Sequence, residues 1–227
     1  MVNMSFNSQS QENFPLSFGQ ERMWFLDQLD QGNPAYNIRG AVEIDGLIDL
    51  ELLQASVNDI VARHAILRTS FHVVNQQVCQ SIIPTFEVEL PVVNLEHLSR
   101  EEQNWEVQRL AGELVQTRFY LDQAPLWRIL CVRLQADKHM VVLCMHHIIC
   151  DGDWSLGIFF HEMAVLYEAK LHNQPSPLPP LPLQYYEFAQ WQQQQWQNDG
   201  FQEQGNYWLQ QLGNDIPVLQ LPYSHSR

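Results

Sequence analysis

The 227 residues contain no glycine-rich phosphate loop of the Walker or Rossmann pattern and no GxSxG elbow. Nucleotide binding through such a loop and serine hydrolysis on such an elbow therefore have no support. Basic residues are scarce, with 12 Lys and Arg against 26 Asp and Glu and a formal charge of -14. Phosphate-rich partners need a basic surface, so neither nucleic acid nor an anionic membrane is expected as a partner. The four cysteines, Cys79, Cys131, Cys144 and Cys150, stand in apolar contexts without CxxC spacing. That is the pattern of free thiols in a reducing compartment. No run approaches the roughly 18 apolar residues of a membrane helix, and Met1 to Asn13 lacks the apolar stretch of a signal peptide, so a cytoplasmic protein is expected. Against these absences stand 45% hydrophobic residues, including seven Trp, seven Tyr and eleven Phe. That supply builds a real core, in one large domain or two small ones.

Helices and strands are readable along the chain. Ser17 with Gln20 forms a capping-box signature ahead of Met23, Trp24, Phe25, Leu26 and Leu29. Tyr36 to Asp45 reads as a strand stopped by Gly46, and Asp49 opens a helix with Leu53, Val57, Ile60 and Val61 at helical spacing. A hairpin is predicted from Thr69–Val74 and Val78–Ile83 around Asn75-Gln76. Ser99 with Glu102 starts another helix, carrying Trp105, Leu110, Leu114 and Val115. Leu126–Leu134 and Met140–Met145 are apolar runs joined at Ala136-Asp137-Lys138, and the second is continuous enough for a strand buried on both faces. A helix from about Trp154 to Lys170 shows one apolar stripe of Leu156, Phe159, Phe160, Met163, Leu166 and Tyr167. After the proline-rich Pro175 to Pro182, the segment Leu183 to Leu212 is rich in Gln and Trp and reads as one long or broken helix. There is no internal repeat. The mixture without strict alternation gives an α/β (α+β) class.

Chemistry points to one place. A buried strand ends in His146-His147, with Asp151-Gly152 close behind and a helix after them. Successive side chains on a strand face opposite ways, so the two histidines cannot share a task. One packs and the other can face a cavity. Imidazole moves protons near neutral pH, Asp151 can orient the loop by accepting N–H bonds or pairing with an arginine, and Gly152 permits a tight turn or the close approach of a chain. A pair of hydrogen-bonded core histidines is the plain alternative. A metal site of Cys144, His146, His147 and Cys150 fails on spacing, because those ligands alternate faces.

The segment His146-His147-Ile148-Ile149-Cys150-Asp151-Gly152 resembles the HHxxxDG signature of condensation domains of non-ribosomal peptide synthetases and of the wider chloramphenicol-acetyltransferase-like superfamily. Three more segments resemble condensation-domain blocks in the right order. They are Leu16 to Leu26 (SxAQxRLWFL), Arg63 to Phe71 (RHxxLRTxF) and Tyr186 to Gln192 (YxDFAxWQ, with Glu187 for the usual Asp). The resemblance spans about residues 15–222 and covers the N-terminal half of such a domain.

It implies a chloramphenicol-acetyltransferase-like lobe, a mixed sheet flanked by helices, plus the start of a second lobe. The expected divisions are a flexible tail at 1–14, the N-terminal lobe at 15–174, the linker at 175–182 and a helical segment of the second lobe at 183–227. The implied reaction is amide formation between aminoacyl or peptidyl thioesters on the phosphopantetheine arms of carrier domains, with no cofactor bound directly. The implied partners are carrier domains and a complementary C-terminal lobe or further synthetase modules. His147 would position or deprotonate the amine or stabilise the tetrahedral intermediate. His146, Asp151, Gly152, Arg63 and Arg68 would support the site, with Asp151 paired to Arg63 or Arg68. The opening block is more like the subtype that takes an L-configured donor.

The alternatives are a non-catalytic remnant or carrier-binding module, and an ester-forming acyltransferase of the same superfamily, which the other blocks disfavour. Two departures stand out. Asp153 is an extra residue between Gly152 and Trp154-Ser155, expected to be absorbed at the helix entrance, where Asp is a good N-cap. The chain also ends at Arg227, about half a condensation domain by resemblance, so apolar faces of Leu183–Leu212 are expected to be exposed.

Overall fold

Capping boxes form where the sequence placed them. In the computed structural model, which describes residues 12–30, 33–213, 216 and 219, β1 (Asn13–Pro15) leads into α1 (Phe18–Leu29), where Ser17 Oγ accepts from the Gln20 N–H and Gln20 reaches back to the Ser17 N–H. Then come β2 (Asn37–Asp45) and α2 (Leu50–Arg63), the latter capped by the Asp49 carboxylate. The hairpin β3 (Thr69–Val74) and β4 (Gln77–Ile82) follows, and then β5 (Val92–Asn94) and α3 (Arg100–Gln116). The last elements are β6 (Trp127–Gln135), β7 (Lys138–His146), α4 (Gly152–Leu171), α5 (Tyr185–Gln197) and α6 (Gln202–Leu212).

The large sheet has the order β2-β7-β6-β5, antiparallel except for the β5–β6 pair. Strand β7 sits inside it, and its continuous apolar run is buried on both faces. Val141, Leu143 and Met145 join the main core with Val57 and Ile60 of α2 and Leu156, Phe159 and Met163 of α4. On the other face, Met140 packs with Leu130, Val132, Leu134 and Val107 of α3. Helices thus cover the sheet on both sides. Gly40 of β2 lets α4 approach, because a Cβ there would lie 3.0 Å from Leu156 Cδ1 and 3.2 Å from Phe160 Cε2. The small sheet, in order β1-β4-β3, holds the expected hairpin. Asn75 and Gln76 turn it with φ of 51° and 66°, as a two-residue turn between twisted strands requires.

Two expectations need adjusting. The free tail placed at 1–14 overlaps β1, where Asn13 pairs with Ser81 and Phe14 with Gln80. Phe14 is held there by the Tyr186 ring, with centroids 4.4 Å apart. The rest of that tail, to Gln11, lies outside the described residues, as does most of the stretch after Gly213. Trp105 stands in solvent on α3 while Val107 and Ala111 face the sheet, so the helix is rotated from the face the aromatic suggested. Of the two readings of Leu183–Leu212, the broken helix is the one formed, in two pieces separated at residues 198–201 with Asp199 at φ 56°.

Helix α5 folds back onto the start of the chain. Tyr185 Oη lies 3.0 Å from Ser17 Oγ, the Phe18 N–H donates to Gln192 Oε1 at 2.8 Å, and Gln193 Nε2 donates to the Leu16 carbonyl at 2.9 Å. On α6 the side chains of Tyr207, Trp208, Leu209 and Leu212 are exposed. No described helix is long and apolar enough to cross a membrane.

Filling the space under α4 tests this packing. Gly40→Val should destabilise the chain by about 1–3 kcal/mol in urea unfolding. The neighbouring Ala41→Val, at an exposed position of the same strand, should be close to neutral despite making the same kind of side chain.

Candidate functional site

The site starts where β7 runs out. Two backbone bonds tie down the histidines at the point where β7 gives way to a turn at 147–149. The His146 N–H donates to the Leu126 carbonyl at 2.9 Å, and the His147 N–H donates to the Tyr36 carbonyl at 2.8 Å. Side-chain alternation then sends the rings in opposite directions. His146 is 2% exposed, packed between Tyr36 and Phe119. Its Nδ1 accepts the Ile148 N–H at 3.1 Å, so its proton must sit on Nε2. Burial first, and then the repulsion that a protonated His147 would exert, pushes the His146 imidazole down to about 4. It is a neutral packing residue.

His147 has the opposite tautomer. Its Nδ1 lies 2.7 Å from the Cys150 carbonyl oxygen. A carbonyl can only accept, so Nδ1 carries a proton, and in the neutral ring the lone pair is on Nε2. The ring is half-buried and lines a cleft of about 600 Å³. Around it stand Asp151 and Trp154 at the entrance of α4, His64 at the end of α2, Met23 of α1 and Tyr185 of α5. A larger, more polar hollow of about 710 Å³ lies around Asp137 and Lys138. It is at the far end of β7 from the histidine pair and contains no histidine. Of these two hollows, only the cleft is lined by the histidine pair's second member. Two buried thiols flank the pair but are not poised to react. Burial pushes Cys144 up to about 11 and Cys150 up to about 12.

The arginine expected beside Asp151 is elsewhere. Asp151 is exposed, and among the described residues it makes no ion pair. Its backbone does the work at the helix entrance, its N–H donating to Ser155 Oγ at 2.8 Å and its carbonyl accepting the Ser155 N–H at 3.2 Å. Arg63 instead pairs with Glu162 of α4 through Nε at 3.1 Å. Arg68 donates to the carbonyls of Val61 and Ile83 at 3.0 and 2.5 Å, bracing the end of α2 against the end of β4. The physical reason is burial. Glu162 is 6% exposed, and a carboxylate so placed requires a cation far more than one in solvent does. Gly152 has φ of +37° with open space where a Cβ would be, so it serves the turn rather than a close approach. Asp153 is not the cap. Helix α4 begins at Gly152, and Asp153 sits in its first turn, where a negative charge suits the helix dipole.

His64, Glu162 and Gln184 were not singled out from sequence. His64 Nε2 lies 2.7 Å from Glu162 Oε2. Gln184 accepts the Ala65 N–H at 3.0 Å and donates to the Arg63 carbonyl at 2.9 Å, tying the start of α5 to the corner that carries His64. A signal existed for Glu162, which interrupts the buried stripe between Phe159 and Leu166 and so announces a buried ion pair.

The family model of the condensation domain matches residues 10–227. Gramicidin S synthase 2 of Brevibacillus brevis is 39% identical over 217 residues, 96% of this chain and 4% of that protein. Among solved structures, the X-domain from teicoplanin biosynthesis, in a complex with OxyB, is 26% identical with a TM-score of 0.78, covering 97% of this chain and 48% of that one. The first condensation domain of the CDA synthetase shares the fold at 21% identity with a TM-score of 0.77, covering 91% of this chain and 51% of that one. The chain thus spans a few per cent of the length of the curated relative and about half of these solved chains.

The His146 environment has a consequence in pH. Its folded pKa lies below the ordinary value of about 6.5, so the unfolded state binds the extra proton first as pH falls. Stability from this residue is complete above about pH 6.5 and is lost as pH drops towards 4. The full loss is about 3 kcal/mol. His146→Asn keeps an acceptor for the Ile148 N–H but cannot titrate. It should flatten the stability–pH slope between pH 4 and 6.5 measured by urea unfolding.

Proposed function

The chain belongs to the condensation-domain family, and from that premise we propose that its cleft forms amide bonds between thioesters carried on the phosphopantetheine arms of carrier domains. The amine nitrogen of one arm attacks the thioester carbonyl carbon of the other. The new C–N bond forms, the C–S bond breaks, and the proton lost by nitrogen ends on the departing sulfur as a thiol. One observation carries the reading: His147 is anchored through Nδ1 to the Cys150 carbonyl at 2.7 Å and faces the cleft with its Nε2 lone pair. Such a lone pair can accept the hydrogen bond of the attacking amine, take its proton as nitrogen becomes positive, and return it to sulfur. His146 contributes a fixed strand end. Asp151 contributes the backbone geometry of the loop, and Gly152 the turn. Arg63 and Arg68 hold the corner of α2 that forms the opposite wall. The remaining wall would come from a complementary C-terminal lobe, against which the exposed aromatic side chains of α6 would pack.

A second reading is a non-catalytic docking module. The likeness to the X-domain solved in complex with OxyB favours it.

The two readings part on turnover. With the chain joined to a condensation-domain C-terminal lobe and both carrier-loaded substrates supplied, amide should form, and His147→Ala should lower the single-turnover rate by about 10²- to 10⁴-fold. Product at an unchanged rate in His147→Ala would remove that residue from the chemistry. No product from the intact protein would favour the docking module.

A further inference from the structure

His147 is not alone in the cleft. His64, the first residue beyond α2, lines the same space from the opposite wall. Its Nε2 is tied to Glu162 at 2.7 Å, and Glu162 is itself buried and paired with Arg63 at 3.1 Å. A carboxylate oxygen can only accept, so in the neutral ring His64 gives Glu162 its Nε2–H. That assignment leaves a lone pair on Nδ1, which has no partner among the described residues. The ring therefore mirrors His147, with one nitrogen fixed by the protein and the other left for a ligand. The backbone around it is pinned as well, since Gln184 bonds to residues on both sides of His64.

We propose that His64 is a second substrate-contacting imidazole of the cleft, accepting at Nδ1 a hydrogen bond from an N–H of a pantetheine-borne substrate. Glu162 is its positioning residue, holding the ring and the tautomer from α4. The inference rests on the reading of the cleft as a thioester-arm site. Those arms suit it chemically, because a pantetheine carries two amide N–H groups and an aminoacyl arm adds an amine. A neutral imidazole acceptor binds such donors without adding charge.

The test uses the whole chain with 15N-labelled imidazoles and one probe, a glycyl pantetheine in which an amide replaces the thioester. The probe should shift the 15N resonance of His64 Nδ1 as it saturates, alongside that of His147 Nε2. His64→Gln places its amide near the Nε2 position, preserving the Glu162 contact while deleting the Nδ1 acceptor. It should weaken probe binding about threefold to tenfold, the loss of one hydrogen bond, with an unchanged thermal midpoint. His64→Asn, which keeps an acceptor near the Nδ1 position, should recover part of that loss. If His147 responds and His64 does not, or if His64→Gln binds the probe as tightly as the parent, the proposal is wrong while the cleft reading stands. If neither ring responds and the probe does not bind, both fall together.

Discussion

Side-chain alternation along β7, carried one residue past the strand by two backbone hydrogen bonds, decides which histidine faces the cleft. The His146 and His147 N–H groups are both held by carbonyls, of Leu126 and Tyr36. With the backbone tied at both positions, the rings diverge, His146 into the core and His147 towards the cleft. One enters the core, where burial keeps it neutral. The other turns to the cleft, and the Cys150 carbonyl then fixes its tautomer. Packing and chemistry are therefore one constraint here. Loosening the strand end would cost stability at His146 and orientation at His147 together.

The cleft needs a second device, because a strand end by itself is open to solvent. Helix α5 supplies it by returning across the start of α1. Ser17, Phe18 and Leu16 hold its far side, and Gln184 fastens its start to the His64 corner. These contacts are polar and aimed mostly at backbone groups. They fix position, whereas burial of Ala189 and the stacking of Phe14 on Tyr186 supply apolar contact. The Leu16–Leu26 block and the Tyr186–Gln192 block, far apart in sequence, thus become one wall. The pair of Arg63 with the buried Glu162 joins α2 to α4 and completes the frame.

Much of this was legible in the sequence, and the reasons differ by element. Capping boxes at Ser17 and Ser99, the Asn75-Gln76 turn and the apolar run of β7 are local signals. They read directly because the physics that forms them acts within a few residues. Strand alternation alone said that His146 and His147 face opposite ways; the choice of His147 for chemistry came from the resemblance. What could not be read were long-range pairings. Nothing local to Asp151 or Arg63 says that the arginine will choose Glu162, 99 positions away; burial of Glu162 decides it. The rotation of Trp105 into solvent depends likewise on which face of α3 meets the sheet. The His64–Glu162 contact crosses from the end of α2 to the middle of α4, so His64 appeared in sequence only as part of a block.

The central claim is that the adjacent histidines hold opposite tautomers, with only the second presenting a lone pair to the cleft. Long-range 1H–15N correlation spectra of the imidazoles at neutral pH measure this directly. The account predicts His146 protonated on Nε2 and His147 protonated on Nδ1, each as a single tautomer. A His147 protonated on Nε2, or two rings averaging between tautomers, would contradict it.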